Sequence, residues 1–180
     1  MEKVFEIYIK TTPELLWEAI TNTEMRRKYN FGLVVKSDWT AGSRFEGRSP
    51  ENCAVEVASE VIESCEHTKG LPHPHPPGSL ILEGDNLEVE PPRRLVQNFR
   101  AMWGEDVKKE GNSKVTWEIE PIGDSCRLTV THSQLRDDAN TQLYGGWPML
   151  LSGIKTLLET GEMLTTPGSL MYMQAEKSVV

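Results

Sequence analysis

His132 stands between Thr131 and Ser133 in an alternating segment, with Asp137 and Asp138 shortly after it. An imidazole beside a carboxylate can act as a general acid or base, because its ordinary pKa of about 6.5 lies close to neutral pH. That chemistry requires the chain to fold an acid back onto the ring. The competing reading is a strand-end histidine satisfied by hydrogen bonds. A second group, Cys65, His67, His73 and His75, with Cys53 within loop reach, holds the sulfur and imidazole types that bind zinc. Two tight ligand pairs are lacking, however, and Leu71-Pro72-His73-Pro74-His75-Pro76-Pro77-Gly78 stiffens the backbone between the histidines. An uncommitted loop and no metal are expected there.

Other chemistries fail on pattern. No glycine-rich stretch leads into the Lys and Ser or Thr of a phosphate loop, no HExxH segment occurs, and Ser133 is not in a nucleophile elbow. Glu118, Glu120, Asp124, Asp137 and Asp138 read as solubilising carboxylates. No cofactor and no catalytic residue are assigned. Cys53, Cys65 and Cys126 are odd in number and read as free thiols rather than a disulfide framework.

The elements that must position these groups follow from composition and period. A chain of 180 residues, 38% hydrophobic and 26% charged, can bury one substantial core. Its 27 acidic and 19 basic residues leave a formal charge of −8, which disfavours nucleic acid or an anionic membrane as partner. No apolar run reaches transmembrane length, and Met1-Glu2-Lys3 does not open a signal segment, so a cytoplasmic protein is expected.

Phe5, Ile7 and Ile9 alternate with polar residues as a half-buried strand does. Thr12-Pro13 suits a helix start, with Leu16, Trp17 and Ile20 as its packing stripe, while Thr11 with Glu14 offers a competing capping-box register. A short helix over about 23–29 should direct Met25 and Tyr29 inward and leave Arg26, Arg27 and Lys28 in solvent. Val34, Trp39 and Phe45 lie in strand-prone segments around a turn at Thr40-Ala41-Gly42-Ser43.

Four further strands are predicted over 80–89, 95–103, 114–120 and 127–132, separated by Pro91-Pro92, Glu110-Gly111-Asn112 and Gly123-Asp124. This is an antiparallel meander rather than repeated βαβ units. Trp147, Leu150, Leu151, Ile154, Leu157 and Leu158 then mark one face of a final helix, with Pro148 in its first turn and Gly153 permitting close packing on the sheet. Trp117 and Ile119, and Leu128, Val130 and His132, fall on strand faces directed at that helix. The aromatic residues Trp17, Phe99, Trp103, Trp117 and Trp147 serve equally as core packing or as the wall of a ligand cavity.

Four segments in this order, TPELLWEAIT, GDNLEVEPPRRLVQNF, VTWEIEPIGDSCRLTVTHS and GGWPMLLSGIKTLLETGE, resemble the activator-of-heat-shock-protein-90-ATPase-like branch of the START and birch-pollen-allergen-related superfamily, across residues 4 to 164. The resemblance implies an α+β helix-grip fold, in which a curved antiparallel sheet wraps a long C-terminal helix around an apolar cavity. It places a single domain over 1–164, an elaborated insertion-like loop at about 50–78 and a tail over 165–180. The expected function is non-catalytic handling of a small hydrophobic ligand, with Trp117, Val130, His132, Trp147, Leu151 and Ile154 near the cavity wall. Two alternatives accompany it: an activator-like regulator of a heat-shock chaperone ATPase, linked to stress response, and a cyclase-like or hydrolytic enzyme using the cavity. A homodimer is a further expectation, and stable membrane insertion is not expected.

Overall fold

The computed structural model of the chain describes residues 1–51 and 75–166. Most of the expected loop, including Cys53, Cys65, His67 and His73, and all but the start of the expected tail lie outside the described residues.

Strand β1 (Lys3–Ile9) buries Phe5, Ile7 and Ile9 progressively, as its alternation requires. Helix α1 (Pro13–Thr21) settles the choice of start register: Thr12 is the N-cap, and its side chain accepts from the Leu15 amide at 3.3 Å. Helix α2 (Thr23–Arg27) is capped by Asn22, which accepts from Met25 N at 3.0 Å. Strands β2 (Val34–Ser37) and β3 (Arg44–Arg48) pair antiparallel across the expected turn.

The meander follows as β4 (Leu80–Glu90), β5 (Arg94–Ala101), β6 (Asn112–Ile122) and β7 (Ser125–Ser133), with the short helix α3 (Glu105–Lys108) between β5 and β6. Another short turn of helix, α4 (Gln142–Gly145), leads into α5 (Trp147–Thr160). Neither short helix is announced by a periodic stripe, since four residues hold barely one turn. Helix α5 ends at Gly161, whose φ of +78° lets its amide close on the Leu157 carbonyl at 2.9 Å.

The seven strands of the described residues form one antiparallel sheet in the order β1-β7-β6-β5-β4-β3-β2. This corrects the expectation of a curved sheet wrapped around the helix. The sheet is open, neither curled nor closed, with β1 and β2 as separate edges, and α5 packs against it rather than being encircled. The composition of α5 gives the reason. Trp147, Leu150, Leu151, Ile154 and Leu157 are buried on one side, whereas Ser152 and Glu159 face solvent, so the helix needs cover on one side only.

Register brings the predicted inward residues opposite one another: Trp117 pairs with Val130, Ile119 with Leu128 and Val115 with His132. These meet Leu16 and Ile20 of α1 and the apolar stripe of α5 in one core. Leu33, Val35, Phe45, Ile81 and Leu82 form a second cluster at the β2–β4 end. That end is also tied by Asn86, which donates to Ser37 Oγ at 2.8 Å and to Ser43 Oγ at 3.0 Å and accepts from Gln97 Nε2 at 2.8 Å.

One close approach departs from expectation. Gly153 does admit tight packing, but against Tyr29 rather than the sheet: a Cβ at this position would lie 3.0 Å from Tyr29 Cβ.

Candidate functional site

His132 is fully buried at the C-terminal end of β7, and neither aspartate reaches it. The Asp137 carboxylate lies 3.5 Å from the terminal ammonium of Met1, and Asp138 pairs with Arg136 at 2.7 Å. The ring is instead held at both nitrogens. The Trp147 indole N–H donates to His132 Nδ1 at 3.2 Å, and Nε2 lies 2.7 Å from Ser113 Oγ. An indole nitrogen can only donate, so Nδ1 must be the acceptor and Nε2 must carry the proton. Ser113 therefore accepts from His132 and passes its own proton toward the Phe99 carbonyl at 3.2 Å.

This chain of hydrogen bonds links α5, β7, β6 and β5. Burial lowers the His132 pKa to about 4, which keeps the ring neutral. With both nitrogens engaged, its role here is positional: it sets where the first residue of α5 meets the sheet.

The remaining candidates sort clearly. Trp117, Val130, Leu151 and Ile154 are buried in the main core, and Trp147 joins them, its ring 5.2 Å from that of Trp117 in a T-shaped contact. Of the six residues expected near a cavity, Trp147 borders the apolar recess that lies beside the N-terminus of α5. Phe31, Leu33, Ile81, Phe99, Leu143 and Leu150 supply most of its apolar wall, and its volume is about 70 Å³. Glu118, Glu120 and Asp124 are exposed and paired with Arg94, Arg127 and Lys10 respectively. Cys126 is buried, its thiol pushed up by burial and by Glu14, and it donates to the Thr11 carbonyl. Among the described residues no group of three or more His, Cys, Asp or Glu is placed to hold a metal.

Sequence reasoning missed Arg26. It was expected in solvent, yet it is 5% exposed and lines the recess together with Asn30, which is 4% exposed. Its Nη1 donates to the Ile20 carbonyl at 2.9 Å, while Nε is buried without a hydrogen-bond partner among the described residues. The guanidinium lies over two indoles, 5.7 Å from the Trp39 ring centre and 5.6 Å from that of Trp117. Each such contact contributes about 0.5–2 kcal/mol. Together they offset only part of a burial cost of several kcal/mol for an ion.

Burial draws the Arg26 pKa down, partly opposed by Tyr29, and pushes the Tyr29 phenol up, so Tyr29 stays a neutral donor to the Ala19 carbonyl at 2.8 Å. A signal was present in the sequence: Arg26, Tyr29 and Asn30 share one face at helical spacing.

A larger concavity of about 500 Å³ lies between α2, β2 and β3. Among its charges Glu24 pairs with Arg27 and Glu46 with Arg48.

Comparison with known proteins places this geometry. Residues 75–159, from just before β4 to the last turn of α5, match the family model described as Activator of Hsp90 ATPase homolog 1-like protein. Solved structures similar to the chain share its fold. Similar solved structures include the protein MLL2253 from Mesorhizobium loti, with a TM-score of 0.62 and 21% identity over 91% of this chain and 100% of that one. PFC0360w from Plasmodium falciparum, described as an HSP90 activator, has a TM-score of 0.61 and 17% identity over 88% and 96% of the two chains. The Aha1 dimer from Colwellia psychrerythraea has a TM-score of 0.59 and 14% identity over 89% and 98%. At these identities the likeness is one of fold. No curated protein sequence matches the chain. Among the described residues no helix is long and apolar enough to cross a membrane.

Proposed function

We propose that the chain is a non-catalytic binding domain that regulates a heat-shock chaperone ATPase by direct protein contact. The family-model match over 75–159 carries this reading, since it spans four adjacent strands and nearly all of α5. The outer face of the sheet agrees with it. There Arg127 lies between Glu6 and Glu120, Arg94 between Glu88 and Glu118, and Glu83 between Arg44 and Arg100. A solvent-facing lattice of both signs in fixed register suits electrostatic selection of a protein partner, which acts on association rate and specificity more than on affinity.

Titration of the purified chain into a heat-shock-protein-90-class ATPase, with turnover followed in parallel, tests the reading. Saturable, salt-sensitive association with altered turnover is expected. Lack of association together with unchanged turnover in every nucleotide state overturns it. Self-association is a separate question, answered by light scattering; the Colwellia relative is described as a dimer.

A second reading, handling of a small hydrophobic molecule, is favoured by the apolar wall of the recess. Trp147 connects that recess to the packed residues Trp117, Val130, Leu151 and Ile154. Native mass measurement of copurifying molecules tests it.

A further inference from the structure

Strand β1 is an edge of the sheet, and the alternation of hydrogen bonds fixes which of its groups face outward. The Ile119 amide donates to the Arg93 carbonyl at 2.8 Å, so odd-numbered residues of β6 bond toward β5 and even-numbered ones toward β7. Carried through the registers of β6 with β7 and of β7 with β1, the alternation turns Phe5, Ile7 and Ile9 toward β7. The amides and carbonyls of Val4, Glu6 and Tyr8 therefore point away from the sheet.

Helix α5 closes one end of that edge. Lys155 Nζ donates to the Tyr8 carbonyl at 2.6 Å, while Glu159 accepts from the Lys10 amide at 2.9 Å and pairs with Lys155 at 2.6 Å. Among the described residues, the outward amides and carbonyls of Val4 and Glu6 have no such partner. Val4 and Tyr8 are also the two most exposed large apolar side chains of the chain's described residues, at 58% and 49%. An uncovered edge of this kind is a template for another strand.

The strand that fits it is β1 of a second copy. Antiparallel pairing about a two-fold axis at Phe5 sets Val4 opposite Glu6 of the other copy, so the open amides and carbonyls satisfy one another. The half-buried Phe5 then meets its counterpart on the inner face. Moving the axis to Val4 opposes Glu2 to Glu6, and moving it to Glu6 opposes Glu6 to itself; like charges directly opposite are destabilising. The axis at Glu6 also needs the Tyr8 carbonyl that Lys155 already holds. With the axis at Phe5, each Glu6 faces a neutral Val4 and keeps Arg127 at 3.8 Å as its counter-charge.

We infer that β1 is a self-recognition edge, at which two copies of the chain join antiparallel about Phe5 into one continuous sheet, with Lys155 and Glu159 of each copy fixing the register. A two-fold contact uses the same edge of both copies, so assembly through it stops at two.

Hydrogen exchange of the full chain read by NMR in dilute and concentrated samples, with light scattering alongside, tests the inference. Dimer formation is expected to slow exchange of the Val4 and Glu6 amides by about tenfold or more. Glu6→Pro removes an outward amide but no bond to β7, and should give a folded monomer. If that variant does not fold, cross-linking decides. A mixture of Val4→Cys and Glu6→Cys chains should form a disulfide between positions 4 and 6, mapped by mass spectrometry, faster than either variant alone.

A chain that stays monomeric at every concentration overturns the inference, as does a dimer whose Val4 and Glu6 amides exchange as fast as in the monomer. Protection of those amides in the dilute monomer overturns it too, because the edge is then covered within the chain. A mixture that cross-links no faster than the single variants excludes the register about Phe5.

Discussion

The Trp147 indole N–H donates to His132 Nδ1 across 3.2 Å, so the first residue of α5 is fastened to the end of the strand on which it packs. Both groups are buried, and water cannot replace either partner. Trp147→Phe should leave Nδ1 unsatisfied at a cost of about 1–3 kcal/mol, to which the smaller ring adds a packing loss. Denaturant unfolding of this variant, of His132→Leu and of the double mutant should give a coupling of about 0.5–3 kcal/mol. Strict additivity would mean that the bond contributes nothing to stability.

The same ring predicts a pH dependence. Its pKa falls from 6.5 to about 4 on folding, so between those values the unfolded chain holds a proton that the folded chain refuses. Stability therefore rises with pH through this window: the contribution is complete above 6.5 and is lost as pH falls toward 4. At about 1.4 kcal/mol per pH unit, the full span is worth on the order of 3 kcal/mol. Unfolding midpoints measured across the window check the slope, and nitrogen NMR should show the neutral Nε2–H tautomer in its upper part, with the cation appearing only as pH approaches 4. A ring that becomes charged near its ordinary value would contradict the assignment.

Gly153→Ala sets two effects against each other. Alanine favours the helix by roughly 0.5–1 kcal/mol over glycine. Its Cβ, however, would meet Tyr29 at 3.0 Å, and Tyr29 cannot retreat readily because its ring is buried and its hydroxyl is tied to Ala19. We expect the clash to win, with a net loss of about 1 kcal/mol, and Gly153→Val to lose considerably more. Thermal unfolding of the pair distinguishes this from simple propensity, which would raise stability in the alanine variant.

Leu151 is 3% exposed and sits among the core residues of α5, β6 and β7. Leu151→Phe should overpack that core and destabilise the chain by roughly 1–3 kcal/mol. If the variant instead keeps its stability and its copurifying molecules become smaller, Leu151 borders ligand space. A folding assay paired with native mass measurement separates the two outcomes.

The sequence by itself determined the elements that carry long, regular apolar periods. Alternation over 125–133 set Leu128, Val130 and His132 on the inner face, and the stripe from Trp147 to Leu157 set the buried side of α5, because period two and period 3.6 are properties of the local backbone. It also yielded Thr12 as a possible cap, though not its victory over Thr11, which rests on a hydrogen bond to Leu15.

Only the tertiary structure decided the rest. Openness of the sheet depends on which strands pair, and no single strand encodes that β1 and β2 stay apart. His132 reads as an acid–base candidate beside two aspartates until Ser113 and Trp147, both distant in the chain, take its two nitrogens. Arg26 reads as solvated because charge normally stays in water; the groups that offset part of its burial, Trp39 and Trp117 over its guanidinium and the Ile20 carbonyl on Nη1, reach it only on folding. Local pattern reports the cost of burying a group, whereas the compensation comes from residues that folding brings to it.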